Sequence, residues 1–154
     1  MASDTLKFFG HFPIEMLGGL TEVESEKVDW LTDTINIALV TNAWTPAVDT
    51  NKFWDDISAN EVANGNGYTT GGKTLGTKTL VYTAAGNIST ADAADPTAWT
   101  GLGAGFTFRY AVIYSATSDV AIGYLDYGAS QLVGLNETLT ITFDVLGVFT
   151  ATAP

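Results

Sequence analysis

Cysteine is absent from this chain of 154 residues, and cations are scarce. Without cysteine the chain can form no disulfide, no thiolate metal site and no cysteine nucleophile, so packing must supply its stability. Six Lys and Arg residues stand against 17 Asp and Glu residues, which gives a net charge of −11. Because so negative a surface repels phosphate groups and anionic lipids, we expect neither nucleic acid nor a membrane as a partner.

Histidine and long apolar runs are also scarce. With His11 as the only histidine, a catalytic triad would rest on one residue near the N-terminus, and a two-histidine metal site is excluded. The chain has no run of about 18 apolar residues, so no transmembrane helix is expected. Its start lacks the basic and apolar regions of a secretion signal, which predicts synthesis and folding in the cytoplasm.

Residues that favour helices are few, whereas β-branched and aromatic residues are abundant. Thr, Val, Ile, Tyr, Phe and Trp together outnumber Lys, Arg, Glu, Gln and Met about fourfold, which favours β-structure. We predict an all-β fold, an antiparallel β-sandwich of about seven to nine strands with an N-terminal arm and one short helix. The length suits one domain, or one domain and an arm.

Three parts of the sequence carry the clearest strand patterns. From Thr138 to Phe143 threonines alternate with large apolar residues, as on a half-buried strand. From Phe106 to Tyr114 the even positions are aromatic or Val, so we expect these side chains to share one face. Together with Val120 to Tyr127 this stretch predicts a hairpin near the centre of a sheet. Thr34 to Thr41 is apolar at both parities, which predicts a strand covered on both faces.

The N-terminal segment is apolar but has no clear period, and acidic residues follow it from Glu22 to Glu26. We therefore predict an N-terminal arm and acidic linker over residues 1–27 and a β-sandwich domain over residues 28–154. The large apolar side chains of the arm must be buried, either on another protein or in the chain's own core. The sequence leaves both destinations open. They form the candidate assembly interface: Leu6, Phe8, Phe9, Phe12, Ile14, Met16 and Leu17.

A helical pattern is limited to Lys52 to Val62, with a weaker one around Pro13 to Leu17. In the first of these stretches apolar residues recur at a spacing that turns them to one side over about three helical turns. The side chains expected to face inward are Phe53, Trp54, Ile57 and Val62.

One segment, Gly67 to Thr74, matches the phosphate-loop pattern of glycine, four residues, glycine, lysine and threonine. A phosphate loop needs an apolar strand before it and a helix after it, so that backbone N–H groups converge on the phosphates. The preceding residues are polar and the following residues are β-branched. The context therefore favours a glycine turn that enters a strand, and we expect no nucleotide at Lys73.

The remaining candidate chemistry is weak. Two pairs of nearby carboxylates lack the alternating pattern of a calcium loop, and turn residues are the better interpretation: Asp55 with Asp56, and Asp92 with Asp95. Four tryptophans would allow stacking on sugars, as in a carbohydrate-binding module, although burial in a core or interface is commoner: Trp30, Trp44, Trp54 and Trp99. We predict no catalytic residue, no cofactor, no metal site and no enzyme activity.

Several segments, taken in order, resemble a family of tailed-bacteriophage virion proteins. The opening strand of that family is similar to VDWLTDTINIALV at residues 28–40. The most distinctive stretch is similar to DTNKFWDDISANEV at residues 49–62 and GYTTGG at residues 67–72. Further similarity extends to about residue 150 and comprises RYAVIY at 109–114, IGYLDYG at 122–128, ITFD at 141–144 and GVF at 147–149.

This resemblance implies a small structural protein without catalysis. It implies a head decoration (cement) protein that binds the major capsid protein on the capsid surface and stabilises the capsid, with a homotrimer as the expected assembly. The alternatives are a tail or baseplate component and, from another class, a carbohydrate-binding module for host attachment.

Overall fold

The computed structural model describes residues 6–13 and 27–152, and they form an all-β structure of antiparallel sheets. Strands account for 43% of the described residues, and a short helix, α1 (Asp55–Ser58), lies among them. The predicted fold class is thereby confirmed. The strands are β1 (Lys7–Phe8), β2 (Ile35–Val40), β3 (Lys73–Thr74), β4 (Thr79–Thr83), β5 (Ile88–Asp92), β6 (Trp99–Thr100), β7 (Phe106–Ser115), β8 (Ala121–Val133), β9 (Thr138–Leu139) and β10 (Phe149–Thr152).

A five-stranded sheet in the order β1-β8-β7-β2-β3 is the main layer. The hairpin of β7 and β8 lies at its centre, as the sequence predicts, and turns at residues 116–120. Strand β2 pairs with β7 over its full length, from Ile35 opposite Ser115 to Val40 opposite Tyr110. The long central strands therefore place one layer of side chains above this sheet and another below it.

Both faces of the main sheet are covered. On one face Ile35, Ile37 and Leu39 of β2 belong to a large apolar cluster with Trp99 and Leu139. The same cluster takes residues from a three-stranded sheet (β10-β5-β4) and a two-stranded sheet (β6-β9), which form the second layer of the sandwich. On the opposite face a second cluster lies under the loop and helix that follow β2, and includes Ala38, Val40, Trp44, Trp54 and Ile57. Coverage of β2 on both faces is confirmed.

Strand β7 departs from the predicted single aromatic face. Its pairing with β8 shifts between Phe108, which is opposite Gln131, and Tyr110, which is opposite Asp126. A β-irregularity of this kind reverses which residue numbers point to which side. Phe106 and Phe108 therefore pack in the first cluster, whereas Tyr110, Val112 and Tyr114 pack in the second. The expectation that all five share one face was wrong for this reason.

Two predicted elements are shorter than expected. The helix predicted over Lys52 to Val62 is one turn, and the residues after it pair with the end of β2: the Asn60 carbonyl accepts from the Thr41 N–H, and the Val62 N–H donates to the Leu39 carbonyl. The inward side chains of Trp54, Ile57 and Val62 are buried as predicted.

The strand predicted over Thr138 to Phe143 pairs only at β9, since its partner β6 is two residues long. Leu139 and Ile141 are nevertheless buried, and the threonines on either side of them are exposed. The predicted alternation of burial therefore continues beyond the two residues that pair with β6.

Candidate functional site

The N-terminal segment packs on the chain's own sheet. Strand β1 pairs with the outer side of β8, with Lys7 opposite Tyr124 and Phe8 opposite Gly123. The Phe9 N–H donates to the Ile122 carbonyl at 3.3 Å, which extends this contact by one residue. Residues 6–9 thus add an edge strand to the main sheet.

The phenylalanines of this segment are buried to different extents. Phe9 is fully buried, with its ring centroid 5.5 Å from Tyr124 and 6.1 Å from Trp44. Phe12 is also buried and its ring packs on the ring of Phe149. Of the two destinations that the sequence left open, these two side chains therefore occupy the chain's own core.

Two other members of the candidate assembly interface are more accessible. Leu6 is half-buried and Phe8 is 38% exposed. Ile14, Met16 and Leu17 lie outside the described residues. Contact of this segment with another protein stays a prediction.

Leu6 and Phe8 border an open cavity. Its volume is about 500 Å³, and its walls continue through residues 142–150, which form the turn before β10 and the start of that strand. Most of the large side chains around it are apolar, and they include Phe143, Leu146 and Phe149. Leu146 is exposed at the rim beside Val145, which is 98% exposed. This recess is suited to an apolar side chain of a partner protein.

The glycine segment that matches the phosphate-loop pattern is closed by the chain itself. Glu61 accepts a hydrogen bond from the Tyr68 hydroxyl and another from the Gly71 N–H, each at 2.6 Å. The Tyr68 hydroxyl in turn accepts from the Leu39 N–H of β2 at 3.0 Å. Burial, followed by the hydrogen bond to Glu61, raises the pKa of Tyr68 well above its ordinary value. This buried phenol is a structural clamp in its neutral form.

The residues around this clamp show why glycine is needed. Gly72 has φ +73°, and a Cβ there would lie 2.0 Å from the Ile37 carbonyl oxygen. Strand β3 begins at the next residue, Lys73, whose ammonium lies 5.9 Å from the Trp99 ring centroid. A glycine turn that enters a strand is what the structure shows. The Gly71 N–H, which a phosphate loop would offer to a phosphate, is already bound to Glu61.

Three of the four paired carboxylates accept backbone hydrogen bonds, and Asp92 is the last residue of β5 rather than a turn residue. Asp56 accepts hydrogen bonds from the Lys52 and Phe53 N–H groups at 3.0 and 2.9 Å, just before α1. Asp95 accepts from the Phe143 N–H at 2.8 Å, and Asp92 from the Ala93 N–H at 2.8 Å. In residues 6–13 and 27–152, no group of three or more acidic or histidine side chains is arranged to hold a metal ion.

Arg109 marks the irregular point of β7 and makes the best-defined ion pair described. Its guanidinium donates to both carboxylate oxygens of Asp126, at 2.9 and 3.1 Å, and to Asn42 at 2.7 Å. The hydrogen bond from Arg109 holds the pKa of Asp126 below its ordinary value. The pair joins β7 and β8 where their register shifts.

The tryptophans do not form a sugar platform. All four are buried, and each belongs to one of the two apolar clusters: Trp30, Trp44, Trp54 and Trp99. An indole that stacks on a sugar must expose its face. These side chains therefore stabilise the core.

Large apolar side chains that the sequence reading did not single out are exposed on β4. All five of its residues are exposed, including Leu80, Val81 and Tyr82. No local signal indicates this exposure, because residues 79–91 contain no charged side chain and a short β-branched strand has the same pattern whether it is covered or not.

No protein-family model, curated protein or solved structure matches this chain. The resemblance to phage virion proteins therefore stays a prediction. The described part of the chain has no helix that would serve as a transmembrane span.

Proposed function

We propose that this chain is a non-enzymatic structural protein of a tailed-bacteriophage virion, a head decoration protein that binds the major capsid protein and stabilises the capsid. It would be made in the host cytoplasm and reside on the capsid surface. The sequence resemblance over residues 28–150 supports the family, and the all-β fold is compatible with that role.

The observation that carries the proposal is that large apolar side chains are exposed at several surfaces, whereas a polar network points inward. Large apolar side chains are exposed at β4, at the turn of residues 144–147 and at the cavity beside Phe8. The hydrogen-bonded network around Glu61 and Tyr68 is directed inward and satisfied by the chain itself. Exposed apolar patches of this kind are typical of protein contact surfaces, whereas inward polar groups hold a framework.

The stretches that carry the resemblance form this framework. Residues 28–40 contain β2, residues 67–72 form the glycine turn clamped against it, and residues 109–128 form most of the central hairpin. They would preserve the fold while the exposed apolar surfaces make contacts. A modest affinity per copy is sufficient because many copies act together on one particle.

We further infer that the copies form a trimer once they are bound at the threefold positions of the capsid lattice. This symmetry rests on the resemblance alone.

The test is localisation on particles of the phage that encodes the chain. Immunogold electron microscopy with an antibody against the purified protein should label the heads densely, with copies on the order of hundreds per particle by quantitative mass spectrometry. Label confined to tails would make the chain a tail or baseplate component and refute decoration. Particles without the protein would refute a virion role.

A further inference from the structure

Among residues 6–13 and 27–152, strand β4 has no partner on its outer edge and takes no part in either apolar cluster. It is the outer strand of the sheet β10-β5-β4, where it pairs only with β5. Every residue of Thr79–Thr83 is exposed, with Val81 at 54% and Tyr82 at 62%. None of the five belongs to an apolar cluster. The apolar side chains of this strand therefore have no role in stabilising the described core.

The devices that protect free strand edges are absent from β4. Natural edges carry a lysine, a proline or a bulge that prevents pairing with another chain. Here Thr79–Thr83 contains neither charge nor proline, and its pairing with β5 runs from Thr79 opposite Asp92 to Thr83 opposite Ile88 without a register shift. The nearest cation, Lys78, donates from its ammonium to the Asp33 carbonyl and so is turned back on its own chain. The edge is open to a further strand.

The distribution of charge favours a second copy of this chain as the partner that pairs with β4. A net charge of −11 makes two copies repel each other over most of their surface. Residues 79–91, which comprise β4, its turn and nearly all of β5, carry no charge. Two copies that meet along this edge incur the least repulsion.

The side-chain pattern of β4 is also complementary to itself. In an antiparallel pair related by a twofold axis at Val81, Thr79 lies opposite Thr83 of the other copy, Leu80 lies opposite Tyr82, and Val81 lies opposite Val81. Threonine pairs, aromatic with aliphatic pairs and β-branched pairs are favourable cross-strand contacts. This register places threonine opposite threonine and apolar side chains opposite apolar side chains, and no side chain of the strand lies opposite a charge.

We propose that two copies of this chain associate by antiparallel pairing of their β4 strands about Val81, which joins their three-stranded sheets into one continuous sheet. Five paired residues bury less than the roughly 1,200 Å² of a stable interface, so free dimers should dissociate between about 10 μM and 1 mM. The contact is independent of capsid binding. On a lattice it would connect neighbouring copies across twofold axes.

Sedimentation equilibrium of the full chain tests this proposal. The weight-average mass of the unsubstituted protein should rise toward that of a dimer over about 10 μM to 1 mM. Val81→Lys sets two ammonium groups against each other at the axis and should weaken the association at least about tenfold. Leu102→Lys is the matched control, because it places the same charge at an apolar side chain outside β4 that has the same exposure as Val81, 54%.

Two results would overturn the proposal: a protein that stays monomeric at 1 mM, or a Val81→Lys protein that associates as well as the unsubstituted one. Association that survives this change would place the contact elsewhere, as a trimer formed by another surface would. Because β4 lies outside both cores, all variants should keep the same circular dichroism spectrum.

A charge-swap experiment tests the twofold register itself. Val81→Lys and Val81→Glu should each associate weakly alone, whereas an equimolar mixture should form a dimer, since the two charges then attract across the axis. A mixture as weak as its components would refute pairing about Val81. These outcomes do not depend on localisation in virions, so this proposal and the proposed function can fail separately.

Discussion

Replacing Phe9 with alanine tests whether the N-terminal segment belongs to the core. The Phe9 ring is fully buried between Trp44 and Tyr124, and its backbone N–H is bound to β8. Truncation of a buried phenylalanine to alanine costs about 3–5 kcal/mol, through lost transfer free energy and the cavity that remains. For a chain of this length each kcal/mol lowers the melting temperature by about 2–4 °C. Phe9→Ala should therefore melt roughly 6–20 °C below the unsubstituted protein.

The adjacent phenylalanine supplies a matched control. Phe8 is 38% exposed, and its ring centroid lies 5.5 Å from that of Phe12 and 5.4 Å from that of Phe149. Phe8→Ala should cost at most about 2 kcal/mol, because much of the ring is already in water. Thermal unfolding followed by near-ultraviolet circular dichroism measures both variants. If Phe9→Ala melts within about 2 °C of the unsubstituted protein, the segment does not pack as described and its apolar residues remain free for another protein.

Three further changes test the clamp, the glycine turn and the ion pair. Tyr68→Phe should lower the free energy of unfolding by about 1–3 kcal/mol in urea, because Glu61 loses a donor and the buried Leu39 N–H loses its acceptor. Tyr82→Phe, at an exposed hydroxyl, should change it by less than about 0.5 kcal/mol, and equal effects would contradict the clamp. Gly72→Ala should destabilise by more than about 1 kcal/mol, since φ is +73° and the new Cβ would meet the Ile37 carbonyl, whereas Gly76→Ala has open space around it and should be nearly neutral. Asp126→Asn should cost up to about 1 kcal/mol at pH 7. Because the hydrogen bond from Arg109 lowers the pKa of Asp126 in the folded state, its contribution is present above the unfolded pKa and disappears as pH falls through the folded pKa. The urea midpoints of Asp126→Asn and the unsubstituted protein should therefore differ at pH 7 and converge as the pH falls from about 4 through the lowered folded-state pKa, and a difference that does not shrink over this fall would refute the assignment.

The sequence predicted the features that depend on local pattern. Strand β2 is apolar at both parities, and the structure covers it on both faces. The hairpin of β7 and β8 follows from two alternating stretches around a short turn. In each case the information lies within about ten residues, which is the range over which periodicity is informative.

Features that depend on distant partners could not be predicted. The face reversal in β7 arises from its register with β8, in which Phe108 and Tyr110 pair with residues that are five apart. Strand β9 is two residues long because its partner β6 is two residues long. The alternation of apolar residues and threonines in the sequence continues beyond it. After the single turn of α1 the chain pairs with β2, where the Val62 N–H donates to the Leu39 carbonyl. Each outcome is set by a neighbour far along the chain.

In the candidate site, too, local features were predicted from the sequence and contacts between distant residues were not. The glycine turn was correctly separated from a phosphate loop because its flanks are local evidence, but its clamp by Glu61 was not foreseen, since Glu61 is only one of several acidic residues before it. The exposure of β4 also escaped the sequence reading. A short β-branched strand has the same pattern whether another strand covers it or not.

Gly123 of β8 is the position where the N-terminal segment approaches the main sheet closely enough to require glycine. A Cβ at this position would lie 2.8 Å from the Lys7 carbonyl oxygen and 3.2 Å from the Leu6 side chain. Glycine inside a strand costs about 0.5–1 kcal/mol relative to alanine, and here the close approach of β1 accounts for it. Strand β8 is thus shaped to receive residues 6–8. Any contact these residues make with a capsid protein must therefore use what this pairing leaves accessible, which is the outer side of Phe8 and the cavity beside Leu6.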